Sequence, residues 1–297
     1  MNRFSTVCLA ALFMAACQST SQAEPAETGL AETSDGVAVW RDVAPDNLLL
    51  IDTEHGRITV ELNPDFAPEH ANRMREIART NAYEGARFYR VIDAFVAQGG
   101  LNDEEKIAAF SNLKNENDRP ISDAGFIPLG NADLFAEEVG HIDGFPVGRS
   151  AELGREWLLH CPGAMAMARN SDPDSGGTEF YIVLDAQRYL DRNLTVFGRV
   201  ISGMDKVQKL KRGNREIESG VIQPPEHGDL ITGFQLASQL PKETRPAFRV
   251  MNSEHPDFEA AKTAKRVRED PFFYRKPPEI LDICGFEPPV EQVSPAE

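Results

Sequence analysis

Arg90, Phe95 and Gln98 place a cation, an aromatic ring and an amide in one short run, Phe88-Tyr89-Arg90-Val91-Ile92-Asp93-Ala94-Phe95-Val96-Ala97-Gln98-Gly99-Gly100. An arginine brings a fork of N–H donors and no acceptor, whereas a glutamine side chain brings both. Set beside an apolar wall, these groups suit a shallow groove that grips its ligand by hydrogen bonds and needs no covalent step. Other chemistry-bearing residues point elsewhere less well. None of the six histidines falls in a metal-ligand spacing such as H-E-x-x-H, and neither a P-loop nor a nucleophile elbow occurs. Asp172-Pro173-Asp174-Ser175-Gly176 is superficially like a calcium loop, but it lacks the closing glutamate and Pro173 intrudes. His160 and Cys161 are adjacent and face opposite sides of a strand, which argues against a thiol–imidazole pair. No metal and no cofactor are expected.

The elements around the run must build that groove. Alternation along a strand puts Arg90 and Ile92 on one face and Tyr89 and Val91 on the other. A bend near Asp93-Ala94 returns Phe95 and Gln98 to the face of Arg90, and Gly99-Gly100 ends the run in a turn. Upstream, residues 48–52 and 57–62 read as a β-hairpin, and Pro68 with Glu69 opens a helix whose buried face carries Ala71, Met74, Ile77 and Ala78. Downstream, residues 164–168, 180–184 and 196–200 read as strands. Met204, Val207 and Leu210 form the stripe of a second helix, and residues 231–236 close the sheet. Short strands with only two helices point to an antiparallel barrel. A small barrel fills its own interior, so a ligand binds on its outside.

The run resembles the F-x-R-V-I-x-x-F-x-x-Q-G-G signature of cyclophilin-type peptidyl-prolyl isomerases. Two further blocks match in order: Gly163-Ala164-Met165-Ala166-Met167-Ala168 leading to Gly177-Thr178-Glu179-Phe180-Tyr181-Ile182, then Tyr189-Leu190-Asp191 leading to Val196-Phe197-Gly198-Arg199-Val200. The resemblance implies a mainly β fold: a closed, antiparallel, eight-stranded barrel capped by two helices, over residues 46–238. It implies that Arg90 is the catalytic arginine and Gln98 the anchor of the substrate backbone. Phe95, Val96, Tyr181 and Leu190 match the proline pocket, and Ala168 and Arg169 the strand edge that pairs with a bound peptide. Tyr189, Leu194 and Arg169 stand where the best-known eukaryotic members carry Trp, His and Asn. The tyrosine argues against tight binding of the family's cyclic-peptide inhibitor, and Leu194 removes a polar contact at the pocket rim.

The implied reaction sets an energetic requirement. Rotation about an Xaa–Pro bond faces a barrier of about 20 kcal/mol. Reaching about a thousand turnovers per second removes roughly 7 kcal/mol of it. A site that binds the twisted amide better than either planar form suffices. As the bond twists, the prolyl nitrogen becomes basic, and a guanidinium can donate to it. Two functions are open on these residues: an isomerase acting on unfolded or folding Pro-containing chains, or a Pro-segment-binding chaperone with little turnover. A monomer is expected.

The two ends and one internal segment lie outside the resemblance. Residues 1–16, with Arg3 and an apolar run over 7–16, read as an export signal too short to be a permanent span. Met14-Ala15-Ala16-Cys17 is similar to a lipobox, so Cys17 is expected to carry lipid and tether the protein to a membrane facing the periplasm. Cleavage after Ala23 is the alternative, and would leave a soluble periplasmic protein. Residues 17–45, rich in Ser, Thr, Ala, Glu and Pro, read as a solvated linker. Residues 101–162 form an insertion with the composition of a loop, suspected of shaping one wall of the groove. Residues 239–297 form an extension whose Phe272-Phe273-Tyr274 cluster calls for packing on the barrel.

The net charge of −16 becomes −17 once Arg3 leaves with the signal. Such acidity argues against nucleic acid and against electrostatic adhesion to anionic head groups. Of the four cysteines, Cys8 leaves with the signal and Cys17 takes the lipid. Cys161 and Cys284 remain as a pair in an oxidising compartment, and a disulfide between them is expected.

Overall fold

A computed structural model of the chain describes residues 36–293, except 102 and 124. The expected signal peptide, Cys17 and most of the linker lie outside the described residues. The linker's last part does not stay a tether: β1 (Trp40–Asp42) pairs antiparallel with a strand of the C-terminal extension, Trp40 opposite Met251.

Strands β2 (Leu48–Thr53) and β3 (Gly56–Leu62) make the expected hairpin. Pro68 occupies the first turn of α1 (Pro68–Thr80), where its missing N–H costs nothing, and the Glu116 carboxylate accepts the Glu69 and His70 N–H groups there at 3.1 Å. The run at 88–100 is a hairpin rather than one strand: β4 (Arg87–Val91) and β5 (Val96–Gly100) flank a turn in which Ala94 has φ of 53°. Gly99 and Gly100 belong to β5 and do not end it in a turn. A Cβ on Gly100 would lie 2.5 Å from the Thr178 carbonyl, so the neighbouring strand's close approach explains the glycine.

The insertion is not a loop. After α2 (Glu104–Ala108) it forms its own antiparallel sheet of five strands: β6 (Arg119–Pro120), β7 (Ile127–Pro128), β8 (Glu138–Ile142), β9 (Phe145–Ser150) and β10 (Arg155–Leu158). The main sheet resumes with β11 (Ala164–Met167), β12 (Glu179–Val183) and β13 (Val196–Ser202). The expected second helix is a single turn, α3 (Met204–Val207). The chain leaves it to bond the sheet, Gly213 N–H donating to the Val91 carbonyl. β14 (Asp229–Leu230) and β15 (Gly233–Leu236) follow, and then the extension's β16 (Ala247–Met251), α4 (Pro256–Arg266) and β17 (Val290–Val293). Four α-helices thus stand among the described residues: the two expected of the barrel, a short one in the insertion, and α4, whose segment 256–269 reads as helical in the sequence. None of the described helices is long and apolar enough to cross a membrane.

The main sheet has nine strands in the order β14-β4-β5-β12-β11-β13-β3-β2-β15. The segment expected to close the sheet forms both of its ends, β14 on β4 and β15 on β2, with Ile231 and Thr232 between them. The fold is mainly β.

Burial on both faces of this sheet explains its strand sequences. Leu49 and Ile51 join the central core with Met165, Met167, Phe180 and Ile182. Their neighbours Tyr181, Val183, Ala164 and Ala166 point outward, yet they are buried against Phe145, Val147 and Leu158 of the insertion. Leu48 and Leu50 are covered likewise by Phe248 and Val250 of the extension. A sheet covered on both faces needs no polar alternation, so these strands read as continuous apolar runs.

The extension packs mainly on the insertion: Phe258, Leu281, Ile283 and Phe286 cluster with Val139, Trp157 and Leu159. Cys161 and Cys284 are joined by a disulfide in that cluster. Phe272 and Tyr274, expected to pack, are exposed instead. The aromatic contacts of the extension on the insertion are supplied by Phe258 and Phe286.

His141 of β8 lies in the same region, edge-on to the rings of Phe258 and Phe286 at 5.2 and 5.5 Å. Neither of its ring nitrogens has a hydrogen-bond partner among the described residues. Burial, with the Arg199 and Lys262 charges adding to it, lowers its pKa from 6.5 to about 3. Folded His141 therefore stays neutral where an unfolded one takes a proton, and stability is lost as pH falls from 6.5 towards 3. Between pH 7 and pH 4 the expected loss from this residue is roughly 3 kcal/mol. Urea unfolding at the two pH values measures it. His141→Leu should lose markedly less stability over that interval, and an unchanged difference would show that another group is responsible.

Candidate active site

Arg90 reaches its position through an irregularity in β4. Phe88 pairs with Gly99 and Arg90 with Gln98, so a bulge at Tyr89 shifts the register by one residue. Simple alternation would have sent Tyr89 to the opposite face. The bulge brings both side chains to Gln98: Arg90 Nη1 donates to Gln98 Oε1 at 3.0 Å, and Gln98 Nε2 donates to the Tyr89 hydroxyl at 2.7 Å. Gln98 Nε2 also donates to Glu179 Oε2 at 3.3 Å. Burial, followed by the Glu179 charge, pushes the Tyr89 pKa upward, so Tyr89 is a neutral hydroxyl.

A second tether comes from residues 213–221, to which sequence analysis assigns no role. Arg90 Nε donates to the Ser219 carbonyl at 2.8 Å, and Arg90 bridges to Val221. Arg90 and Arg215 both lie 5.6 Å from the centre of the Phe95 ring. The guanidinium of Arg90 is pulled below its ordinary pKa by burial and remains a cation at neutral pH. Gly220 has φ of 91°, and a Cβ there would lie 2.6 Å from Ile92 Cγ1. Gly220→Ala should displace the Ser219 carbonyl and cost roughly tenfold in kcat, with a smaller change in KM. Steady-state kinetics on a proline peptide would check this; an unchanged kcat would mean that the loop does not hold Arg90.

Arg90, Phe95, Val96, Gln98, Ala168, Arg169, Tyr181, Leu190 and Leu194 line one cavity of 190 Å³. All nine are residues named from the sequence. The tenth, Tyr189, does not line it and lies exposed on the outer side of the same loop. No residue of the insertion lines it either, so the insertion is not a wall of this groove. It acts from behind. Asp133 accepts from Arg188 Nη1 and Nη2 at 3.0 Å, Asp118 from Arg192 at 3.0 Å, and the N–H of Glu116 donates to the Thr195 hydroxyl at 2.9 Å. These contacts fix the loop that carries Leu190 and Leu194.

A buried relay fixes the cavity's aromatic wall. Asp191 Oδ1 faces His160 Nδ1 at 3.1 Å and His160 Nε2 faces the Tyr181 hydroxyl at 2.9 Å. A carboxylate only accepts, so Nδ1 carries the proton and Nε2 accepts from Tyr181. Burial raises the Tyr181 pKa, which keeps its hydroxyl available as that donor. His160 and Asp191 are positioning residues behind the ring. Arg169 clamps the same loop, giving Nη2 to the Asn193 carbonyl at 2.9 Å and Nη1 to Asn170 at 2.7 Å. The N–H of Ala168 is already given to the Glu179 carbonyl at 2.9 Å.

Among the described residues one group could offer three metal ligands, Glu54, His55 and Asp229. None of them lines the cavity, and Asp229 already accepts from the Lys211 N–H at 2.6 Å.

The model of the cyclophilin type peptidyl-prolyl cis-trans isomerase/CLD family matches residues 48–233. A probable peptidyl-prolyl cis-trans isomerase of Brucella suis is 32% identical over 182 residues, covering 61% of this chain and 80% of that relative. A peptidyl-prolyl cis-trans isomerase of Acinetobacter baylyi is 29% identical over 183 residues, covering 59% of this chain and 77% of that relative. The crystal structure of cyclophilin AquaCyp293 from Hirschia baltica superposes with a TM-score of 0.68 at 28% identity, covering 87% of this chain and 95% of the other. That share is too large to be met without part of the C-terminal extension. The chain therefore belongs to the cyclophilin-type peptidyl-prolyl cis-trans isomerases, a family of enzymes.

Proposed function

We propose that the chain accelerates cis–trans isomerisation of Xaa–Pro bonds by seating the proline ring in the 190 Å³ cavity and donating from Arg90 to the prolyl nitrogen as the amide twists. The carrying observation is the double tether of Arg90. Ser219 takes Nε and Gln98 takes Nη1, while Nη2 makes no hydrogen bond among the described residues. A donor fixed this way loses little entropy when the transition state forms. Phe95, Val96, Tyr181, Leu190 and Leu194 supply the apolar side of the cavity. Gln98 holds Arg90 directly; its Nε2 is taken by Tyr89 and Glu179, while Oε1, which accepts from Arg90, keeps a second lone pair for a substrate backbone N–H.

The scaffold that goes with this reading is a barrel closed by residues 229–236. Ile231 N–H bonds the Ala86 carbonyl on one side, and Thr232 N–H bonds the Asp52 carbonyl on the other. The proposed clients are Pro-containing exported polypeptides, met outside the cytoplasm by a protein tethered through Cys17. The Cys161–Cys284 disulfide supports an oxidising compartment.

A protease-coupled assay on a short Ala-Pro peptide tests the activity. The full chain should speed the slow phase in proportion to its concentration, and an unaltered slow phase would refute the reading. Incorporation of radiolabelled lipid, lost in Cys17→Ala, tests the tether.

A further inference from the structure

Large apolar side chains left in water cluster on one side of the cavity. Nine are exposed among the described residues, and five of them, Leu134, Phe135, Leu153, Tyr189 and Ile280, line two adjoining clefts. The clefts measure 750 and 330 Å³, and share Leu134, Phe135, Arg188 and Tyr189. Scattered exposed apolar residues are ordinary, whereas a contiguous set calls for a partner.

The exposure is built, not accidental. Leu134 is 95% exposed at the tip of a turn whose base is tied. Asp133 caps the turn by accepting the N–H groups of Phe135 and Ala136 at 2.9 and 3.0 Å, and the same carboxylate holds Arg188. Arg188 lies 5.3 Å from the Phe135 ring centre. Both arginines here are paired, Arg188 with Asp133 and Asp191, and Arg192 with Asp118. At the edges the Glu137 carboxylate accepts hydrogen bonds from Ser150 and Ala151, and the Asp282 carboxylate from Cys284. What the clefts offer a partner is the apolar side chains of Leu134, Phe135, Leu153, Tyr189 and Ile280, set within a polar rim that is broader in the larger cleft.

The clefts also continue the cavity. Tyr189 stands in both clefts, and its chain neighbour Leu190 lines the cavity, so one loop is the ridge between them. We propose that these clefts bind apolar side chains of the polypeptide whose proline occupies the cavity, and so select apolar, unfolded clients. The inference rests on the isomerase reading for the place of the proline. It assigns the insertion a role in substrate choice through the surface it presents beyond the cavity.

Leu134→Ser/Phe135→Ser and Leu153→Ser change exposed side chains outside the catalytic machinery. Each is compared with wild type on three substrates: an Ala-Pro tetrapeptide, a peptide of about 14 residues with leucines on both sides of Ala-Pro, and the same peptide with serines replacing leucines. The long apolar peptide should lose about tenfold in kcat/KM, through KM, in the double variant. The tetrapeptide and the serine peptide should be unaffected. Fluorescence anisotropy on the two long peptides gives affinities that do not depend on turnover. A chain that fails to turn over the tetrapeptide thus defeats the isomerase reading, and the clefts are still decided by binding. Unchanged affinity for the apolar peptide in both variants overturns the proposal, as does an equal loss on all three substrates. Light scattering that shows a wild-type dimer split by the variants also overturns it, because a second copy would then be the occupant.

Discussion

Arg90→Ala is expected to lower kcat/KM on an Ala-Pro tetrapeptide by about a thousandfold and leave the protein folded. Removing one preorganised donor from a site that stabilises developing charge typically costs a hundred- to a thousandfold, and here the donor is also a cation. The loss corresponds to roughly 4 kcal/mol, more than half of the roughly 7 kcal/mol the reaction requires. The remainder comes from the apolar cavity, which the substitution leaves intact. The Ser219 carbonyl and Gln98 Oε1 lose a donor in the variant, but Arg90 and Gln98 are only half-buried, so water can replace it at little cost to stability. Arg90→Lys keeps the charge and loses the fork. A lysine cannot reach both tethers and still present a further donor in fixed geometry, so a loss of about a hundredfold is expected. Coupled-assay kinetics with thermal melts on each variant check both numbers. A kcat/KM within threefold of wild type for Arg90→Ala would remove the arginine from the mechanism.

The second large effect concerns stability. Cys161 and Cys284 are 123 residues apart, and their bond ties the start of β11 to the end of the extension. In the chain-entropy picture, closing a loop of that size is worth about 5 kcal/mol, an upper figure. For a protein of this size that corresponds to a fall of roughly 10 to 20 °C in Tm when the bond is absent. Cys161→Ser/Cys284→Ser should show that fall, and reduction of the wild type should reproduce it. Phe258, Leu281, Ile283 and Phe286 still hold the extension on the insertion by apolar contact, so the variant should fold at 25 °C. Its kcat/KM on a tetrapeptide should match wild type, because neither cysteine lines the Arg90 cavity. A Tm within 3 °C of wild type would mean that the covalent link adds nothing to that packing.

The cavity was legible in the sequence because its residues sit at fixed offsets on regular strands and one short turn. Phe95 and Gln98 return to Arg90 through the turn at Ala94, as a bend at that point requires. What sets the arginine's geometry was not legible. The bulge at Tyr89 leaves no trace in composition, because it depends on how β4 meets β5 and not on either strand alone. Ser219 and Arg215 lie over 120 residues from Arg90 in a segment without periodicity.

The insertion misled for a different reason. Its glycines look like loop residues, yet a Cβ on Gly140 would meet the Phe126 ring at 2.7 Å, and one on Gly148 the Trp157 indole at 2.8 Å. They are strand residues kept small so that aromatic rings can lie on them. The exposed Phe272 and Tyr274 mark the opposite limit, since apolar character predicts burial only where a neighbouring surface exists to receive it.

Exchange NMR on an Ala-Pro tetrapeptide, with no coupling protease present, observes bond rotation itself. The wild type should produce cis–trans exchange cross-peaks at catalytic concentration. Arg90→Ala should bind the peptide with similar line broadening and produce almost none. Equal exchange in the two proteins would contradict an arginine that stabilises the twisted amide, and no exchange in either would contradict the isomerase altogether.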